Sequence, residues 1–138
     1  MKYMIMLYGS QRDYDAMAGR AAGGPEWTPE QVAAMHAFMT KWNQELVDSG
    51  EFVDAQGLAD PVHTRRVEPG PDGRPIVTDG PYAETAEVLA GYNIVECASF
   101  DRATEIAARI LDCPGPEGQG GLYVDVRLIG GAPDDLGT

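Results

Sequence analysis

Hydrophobic residues recur along this chain with two spacings, one typical of strands and the other of helices. Residues 2–8 are apolar at nearly every position, which predicts a strand in the centre of a sheet. In residues 122–129 apolar and polar side chains alternate, which predicts a strand with one buried face. A short stretch of mixed character at residues 51–57 and the stretch at residues 91–97 predict two further strands.

A long amphipathic helix is the clearest prediction. Thr28 has the features of an N-cap, Pro29 stands at the first helical position, and Gln31 completes a capping box. An apolar stripe follows at helical spacing, and Gly50 ends the helix. Its members are Val32, Met35, Met39, Trp42 and Leu46.

The remaining segments predict a hairpin, a second helix and two irregular stretches. Residues 63–67 and 74–78 flank a Pro- and Gly-rich turn, as in a hairpin with a longer loop. Ser99 or Asp101 caps a second helix whose inner stripe is Ala103, Ile106, Ala107 and Ile110. Residues 9–26 are predicted as a long loop, and the chain from about residue 130 as a short acidic tail.

This order of elements is that of a split β-α-β-β-α-β unit with an inserted hairpin. We therefore predict an α+β fold of the ferredoxin-like type, formed as a single domain by residues 1–138. Two helices cover only one face of such a sheet. We expect a second copy of the chain to cover the other, giving a homodimer whose sheets face each other around a pocket.

Charge and composition narrow the functional classes. The chain has 10 Lys and Arg against 22 Asp and Glu, a net charge of −12, which argues against direct nucleic acid binding. No apolar run approaches the roughly 20 residues of a membrane span. The N-terminal stretch lacks the length and cleavage site of a signal peptide. We expect a soluble, cytoplasmic protein without membrane contact.

Metal and cofactor motifs are not recognised in the sequence. Cys97 and Cys113 form no metal-ligand spacing with each other or with His36 and His63. The sequence also shows no nucleotide-binding glycine loop and no Ser-His-Asp order. We therefore predict no metal and no cofactor.

Two residues are candidates for catalysis. Asp79 ends a predicted strand in a Gly-Pro turn, where its carboxylate could act as a general base or ligand anchor, or simply cap its own turn. His63 lies on the predicted hairpin, where it is a possible acid or base or an exposed side chain. His36 lies at the boundary of the helical stripe, where a structural role competes with a catalytic one.

Polar and aromatic residues nearby are candidates for binding a small-molecule ligand. Tyr82 and Tyr92 could form pocket walls, while Glu84 and Glu87 either recognise a polar organic ligand or belong to a solvated acidic loop. Arg65, Arg66, Arg74 and Arg127 are the side chains available to an anionic ligand. Asp125 and Arg127 share a strand face and could pair across a dimer.

The segment Asp79-Gly80-Pro81-Tyr82-Ala83-Glu84-Thr85-Ala86-Glu87, followed by Gly91-Tyr92, resembles the YCII-related proteins of the DGPF type. The resemblance includes a Met-Lys-Tyr-Met start, Ser49-Gly50 at a helix end, Gln56-Gly57-Leu58 and a closing Asp125-Val126-Arg127. This chain departs from the family pattern at three positions: Tyr82 replaces a Phe, Ala86 a Lys and Leu128 a Pro.

The resemblance implies a ferredoxin-like subunit in a dimeric α/β barrel like that of muconolactone isomerases and small cofactorless monooxygenases. Shorter relatives carry a His on the first helix and a downstream Asp proposed as an active-site pair. By spacing, that His falls on Met39 here, so the pair does not carry over. Many similar proteins are encoded beside extracytoplasmic-function sigma factors, which implies a regulatory or stress-linked context.

Two functional hypotheses follow. The first is a small cofactor-independent enzyme that uses acid/base chemistry on a small organic molecule, with Asp79 as base or anchor and His63 as partner. The second is a non-catalytic module that binds a ligand or a protein partner.

Overall fold

The computed structural model describes residues 1–20, 26–116 and 122–130 of the chain. Within these residues it has six strands, three α-helices and two 3₁₀ turns. The strands are β1 (Lys2–Gly9), β2 (Phe52–Gly57), β3 (Arg65–Pro69), β4 (Pro75–Asp79), β5 (Val88–Glu96) and β6 (Val124–Leu128). The helices are α1 (Gln11–Met17), α2 (Pro29–Ser49) and α3 (Phe100–Ala108), and the 3₁₀ turns are Pro61–His63 and Arg109–Asp112.

Four strands form one antiparallel sheet in the order β2-β5-β1-β6. This order confirms the ferredoxin-like α+β fold and the interior position of β1. The hairpin of β3 and β4 is also confirmed, and it forms a separate two-stranded sheet. The prediction that His63 lies on its first arm is wrong, because β3 begins at Arg65 and His63 belongs to the preceding 3₁₀ turn. Most of the predicted acidic tail, from residue 131, lies outside the described residues.

One face of the four-stranded sheet carries the core. Tyr3 and Ile5 from β1 and Val95 from β5 are buried in one cluster with Trp42 of α2 and Ile106 of α3. The indole Nε1 of Trp42 donates a hydrogen bond of 3.1 Å to the carbonyl oxygen of Ile106, so the largest core side chain also satisfies its polar atom.

The predicted limits of α2 are confirmed. The Thr28 hydroxyl accepts from the backbone N–H of Gln31, and the Gln31 side chain accepts from the N–H of Thr28. Gly50 follows the helix in the left-handed region at φ 79°, a conformation that glycine adopts without steric cost.

The prediction of an uninterrupted loop over residues 9–26 is wrong for α1. Ser10 caps this helix in a capping box with Asp13, and Ala16 is buried. Tertiary contacts stabilise it, because a helix of 7 residues is too short to be stable alone. The Tyr14 hydroxyl lies 3.0 Å from the carbonyl oxygen of Leu58 and 3.2 Å from that of Ala90.

The second face of the sheet has no helix among the described residues. Met4, Met6 and Ile94 lie on it, because each alternates with residues of the core, and each is half-buried. Asp125 and Arg127 of β6 lie opposite Met6 and Met4 on the same face. In the described part of the chain, no helix is both long enough and apolar enough to cross a membrane.

Candidate functional site

A cavity of about 310 Å³ lies where the chain leaves β2 and enters the hairpin. Its polar side chains are Asp60, His63, Thr64 and Tyr82. Its apolar lining is Leu58, Ala59, Pro61, Val88 and Leu89. A mainly apolar concavity with a few convergent polar groups is the usual form of a small-molecule site.

Asp60 and His63 form a pair in the wall of this cavity. The 3₁₀ turn Pro61–His63 brings Nε2 of His63 to 3.4 Å from Oδ1 of Asp60. The Asp60 side chain is only 19% exposed, whereas that of His63 is 70% exposed and accessible to a ligand. The pair thus has a fixed carboxylate behind an accessible imidazole.

Helix α1 holds the carboxylate in place. Nε2 of Gln11 donates to Oδ2 of Asp60 at 2.9 Å, and Oε1 of Gln11 accepts from the backbone N–H of Val62 at 2.9 Å. The Gln11 hydrogen bond, helped by the charge of His63, holds the pKa of Asp60 below its usual value. Asp60 is therefore an ionised acceptor facing His63 at neutral pH.

The Asp79-Gly80-Pro81-Tyr82 turn positions one wall of the cavity. Gly80 takes a left-handed φ of 57°, and its N–H donates to the carbonyl oxygen of Thr64 at 2.7 Å. Tyr82 follows this turn and lines the cavity. Asp79 itself accepts from Nε of Arg65 at 2.8 Å in an ion pair with both side chains about three quarters exposed, and it is not among the lining residues.

A second polar cluster joins the ends of β1, β5 and β6. The rings of Tyr8 and Tyr123 stack with centroids 5.3 Å apart. Tyr8 donates to Asp125 at 2.6 Å and Tyr123 donates to Glu87 at 2.6 Å. These hydrogen bonds raise the pKa of Tyr8 to about 12 and also raise the pKa of Tyr123.

The structure thus brings together part of the predicted residue set. His63 and Tyr82 share the cavity, while Arg65 pairs with Asp79 on the adjoining hairpin. Four predicted residues lie elsewhere, and one of them, Glu87, accepts from Tyr123 in the second cluster. The Tyr92 hydroxyl is 3.5 Å from Asp54, Arg127 is exposed on the helix-free face, and Glu84 is exposed.

Sequence reasoning missed Asp60 and Gln11 as members of a site. The Asp60-Pro61 sequence by itself indicates only a turn, although a His three residues later is a spacing that one tight turn brings together. Gln11 offered no sequence signal, because it contacts Asp60 across 49 positions of the chain. Within the described residues, no group of three His, Cys, Asp or Glu side chains converges in a way that could hold a metal ion.

Comparison with known proteins shows the family to which the chain belongs. The model of the YCII-related domain matches residues 1–129. An uncharacterized protein of Rhizobium meliloti (strain 1021) is 51% identical over 107 residues, which is 78% of this chain and 77% of that protein. With a family match that includes both the Asp79 turn and the Asp60–His63 cavity, the chain belongs to the YCII-related family.

Proposed function

We propose that this protein is a small cofactor-independent enzyme that uses acid/base chemistry on a small organic molecule. The observation that carries the proposal is the Asp60–His63 pair in the cavity wall. Imidazole is the side chain whose ordinary pKa lies nearest neutrality, so it both accepts and donates protons under physiological conditions. In this proposal His63 transfers the proton and Asp60 orients the ring.

The lining of the cavity is suited to a small organic substrate with both apolar and polar groups. Leu58, Val88 and Leu89 offer apolar walls, while the Thr64 hydroxyl and the Tyr82 phenol supply polar contacts. Asp79 lies outside this lining and pairs with Arg65. We therefore assign the proton transfer to His63 and give Asp79 the role of fixing the base of the hairpin.

The test is proton exchange in D₂O followed by proton NMR, with a panel of small ketones, lactones and phenols. Acid/base catalysis is expected to replace an activated C–H proton of one panel compound or convert the compound. His63→Gln should slow this reaction by about 100-fold, within the range for loss of a general acid or base. His36→Gln, a matched change on the exposed surface of α2, should leave the rate unchanged.

Equal rates for His63→Gln and the unaltered protein would contradict the assignment of His63. Compounds that bind in the cavity but are neither exchanged nor converted would instead favour the second function, a non-catalytic ligand-binding module.

A partner-binding function has one observation in its favour. The β3–β4 hairpin exposes all ten of its strand residues, including Val67, Ile76 and Val77, which are 65%, 49% and 55% exposed. A two-stranded sheet gains little stability alone, and exposed apolar side chains on such a hairpin suit contact with another protein surface.

A further inference from the structure

Arg66 differs from the paired arginines of the protein. Arg20, Arg65, Arg102 and Arg109 each form an ion pair with an Asp or Glu side chain. Among the described residues Arg66 has no ion pair with a carboxylate. Its Cζ atom instead lies 5.5 Å from the centre of the Tyr82 ring.

Tyr82 connects this guanidinium to the cavity. Tyr82 lines the cavity and Arg66 contacts its ring, so one side chain separates the guanidinium from the cavity. A guanidinium that stacks on an aromatic ring keeps its N–H donors for a planar acceptor such as a carboxylate. Arg66 therefore supplies, next to the Tyr82 ring, a positive group that has no carboxylate partner among the described residues.

The net negative charge of the chain makes a cation without a carboxylate partner a candidate for binding an anionic ligand. At a net charge of −12 the protein repels anions in general, so an anionic ligand needs a local cation to bind. The carboxylate in the cavity wall, that of Asp60, already accepts from Gln11 and faces His63. The Asp79 carboxylate is likewise taken up by Arg65 rather than by Arg66.

We propose that the cavity binds a small organic carboxylate, with Arg66 as the residue that recognises its anionic group. This inference rests on the proposed function and names its substrate class. Arg66 holds the carboxylate at the Tyr82 side of the cavity, and the remainder of the molecule lies against the apolar wall within reach of His63.

The test compares charged and neutral probes of equal shape. Acetate and benzoate are titrated against the full-length protein beside acetamide and benzamide, and binding is followed by amide NMR shifts at His63, Thr64 and Tyr82. Benzoate should bind more tightly than benzamide, and Arg66→Gln should weaken benzoate binding about tenfold, as expected for one charge-assisted hydrogen bond. Arg74→Gln removes the same charge from an exposed position of the same hairpin and should have little effect.

The outcomes separate this inference from the proposed function. Equal affinity for benzoate and benzamide, an unchanged affinity in Arg66→Gln, or absence of binding by either carboxylate overturns the carboxylate inference, while proton transfer by His63 to a neutral substrate still stands. If Arg66→Gln weakens benzoate binding but His63→Gln leaves turnover unaltered, the carboxylate site stands and the acid/base function fails. An NMR spectrum of each variant that matches the folded protein excludes misfolding as the cause.

Discussion

Tyr8 donates its phenolic proton to Asp125 at 2.6 Å, and this bond raises the pKa of Tyr8 to about 12. Asp125→Asn keeps an oxygen acceptor but removes the negative charge, so the pKa of Tyr8 should fall toward its ordinary value of 10. A pH titration by carbon NMR of ring-labelled tyrosine measures this change. Asp54→Asn, beside Tyr92, is the matched control and should leave Tyr8 unaffected.

The hydrogen bond between Tyr8 and Asp125 also makes the stability of the folded protein depend on pH in the alkaline range. A group whose pKa is raised by folding adds stability below its unfolded pKa and loses it as the pH rises through the folded value. The Tyr8 contribution is therefore complete below pH 10 and disappears toward pH 12. A pKa of Tyr8 that stays near 12 in Asp125→Asn would contradict this account.

At the scale of elements, a bidentate ion pair joins the start of α3 to the residue before β2. Arg102 donates from Nε and from one terminal nitrogen to the two carboxylate oxygens of Glu51, at 2.9 and 2.7 Å. These bonds hold the pKa of Glu51 below its usual value. Because Arg102 is 43% exposed, solvent screening limits the contribution of the pair to about 1 kcal/mol.

Arg102→Gln should therefore lower the free energy of unfolding by about 1 kcal/mol at neutral pH. A carboxyl whose pKa is lowered by folding stabilises above its unfolded pKa and loses that effect as the pH falls through the folded value. The difference between Arg102→Gln and the unaltered protein should shrink in acid, as measured by urea unfolding. Arg109→Gln, which breaks an exposed pair with Glu45, should cost less. A difference that is independent of pH would refute this role.

Elements with strong local signals could be predicted from the sequence. The caps of α2, the apolar stripe of α3 and the alternation in β6 each encode their structure within a few residues. Helix α1 has one local signal, the Ser10–Asp13 capping box, but its seven residues depend for stability on contacts of Tyr14 and Gln11 with distant parts of the chain. The site was half predicted. His63 and Tyr82 could be identified from residue type, and the Asp60–His63 contact is local, but only tertiary contacts bring Tyr82 and Gln11 to the same place.

At the scale of the whole molecule, we propose that two copies of the chain associate through the helix-free sheet face. Met4, Met6 and Ile94 give that face an apolar centre, and Asp125 and Arg127 lie beside it with opposite charges that two copies could pair. Light scattering should give twice the chain mass of 14.8 kDa.

Met4→Lys should shift the protein toward the monomer, because it places an ammonium group in the apolar centre of the interface. Val47→Lys makes the same change at an exposed position of α2 and should leave the dimer intact. A mass of one chain at every protein concentration would refute the dimer.

Folding of the seven-residue helix α1 and binding of a ligand in the cavity should stabilise each other. Its contacts through Gln11 and Tyr14 hold Asp60 and Leu58, so local unfolding of this helix releases two parts of the cavity wall. Linkage makes the effect reciprocal, since a molecule that binds only the intact cavity stabilises the folded helix. The amide hydrogens of α1 then exchange with solvent more slowly when the cavity is filled, which makes the first helix an internal reporter of binding for any compound.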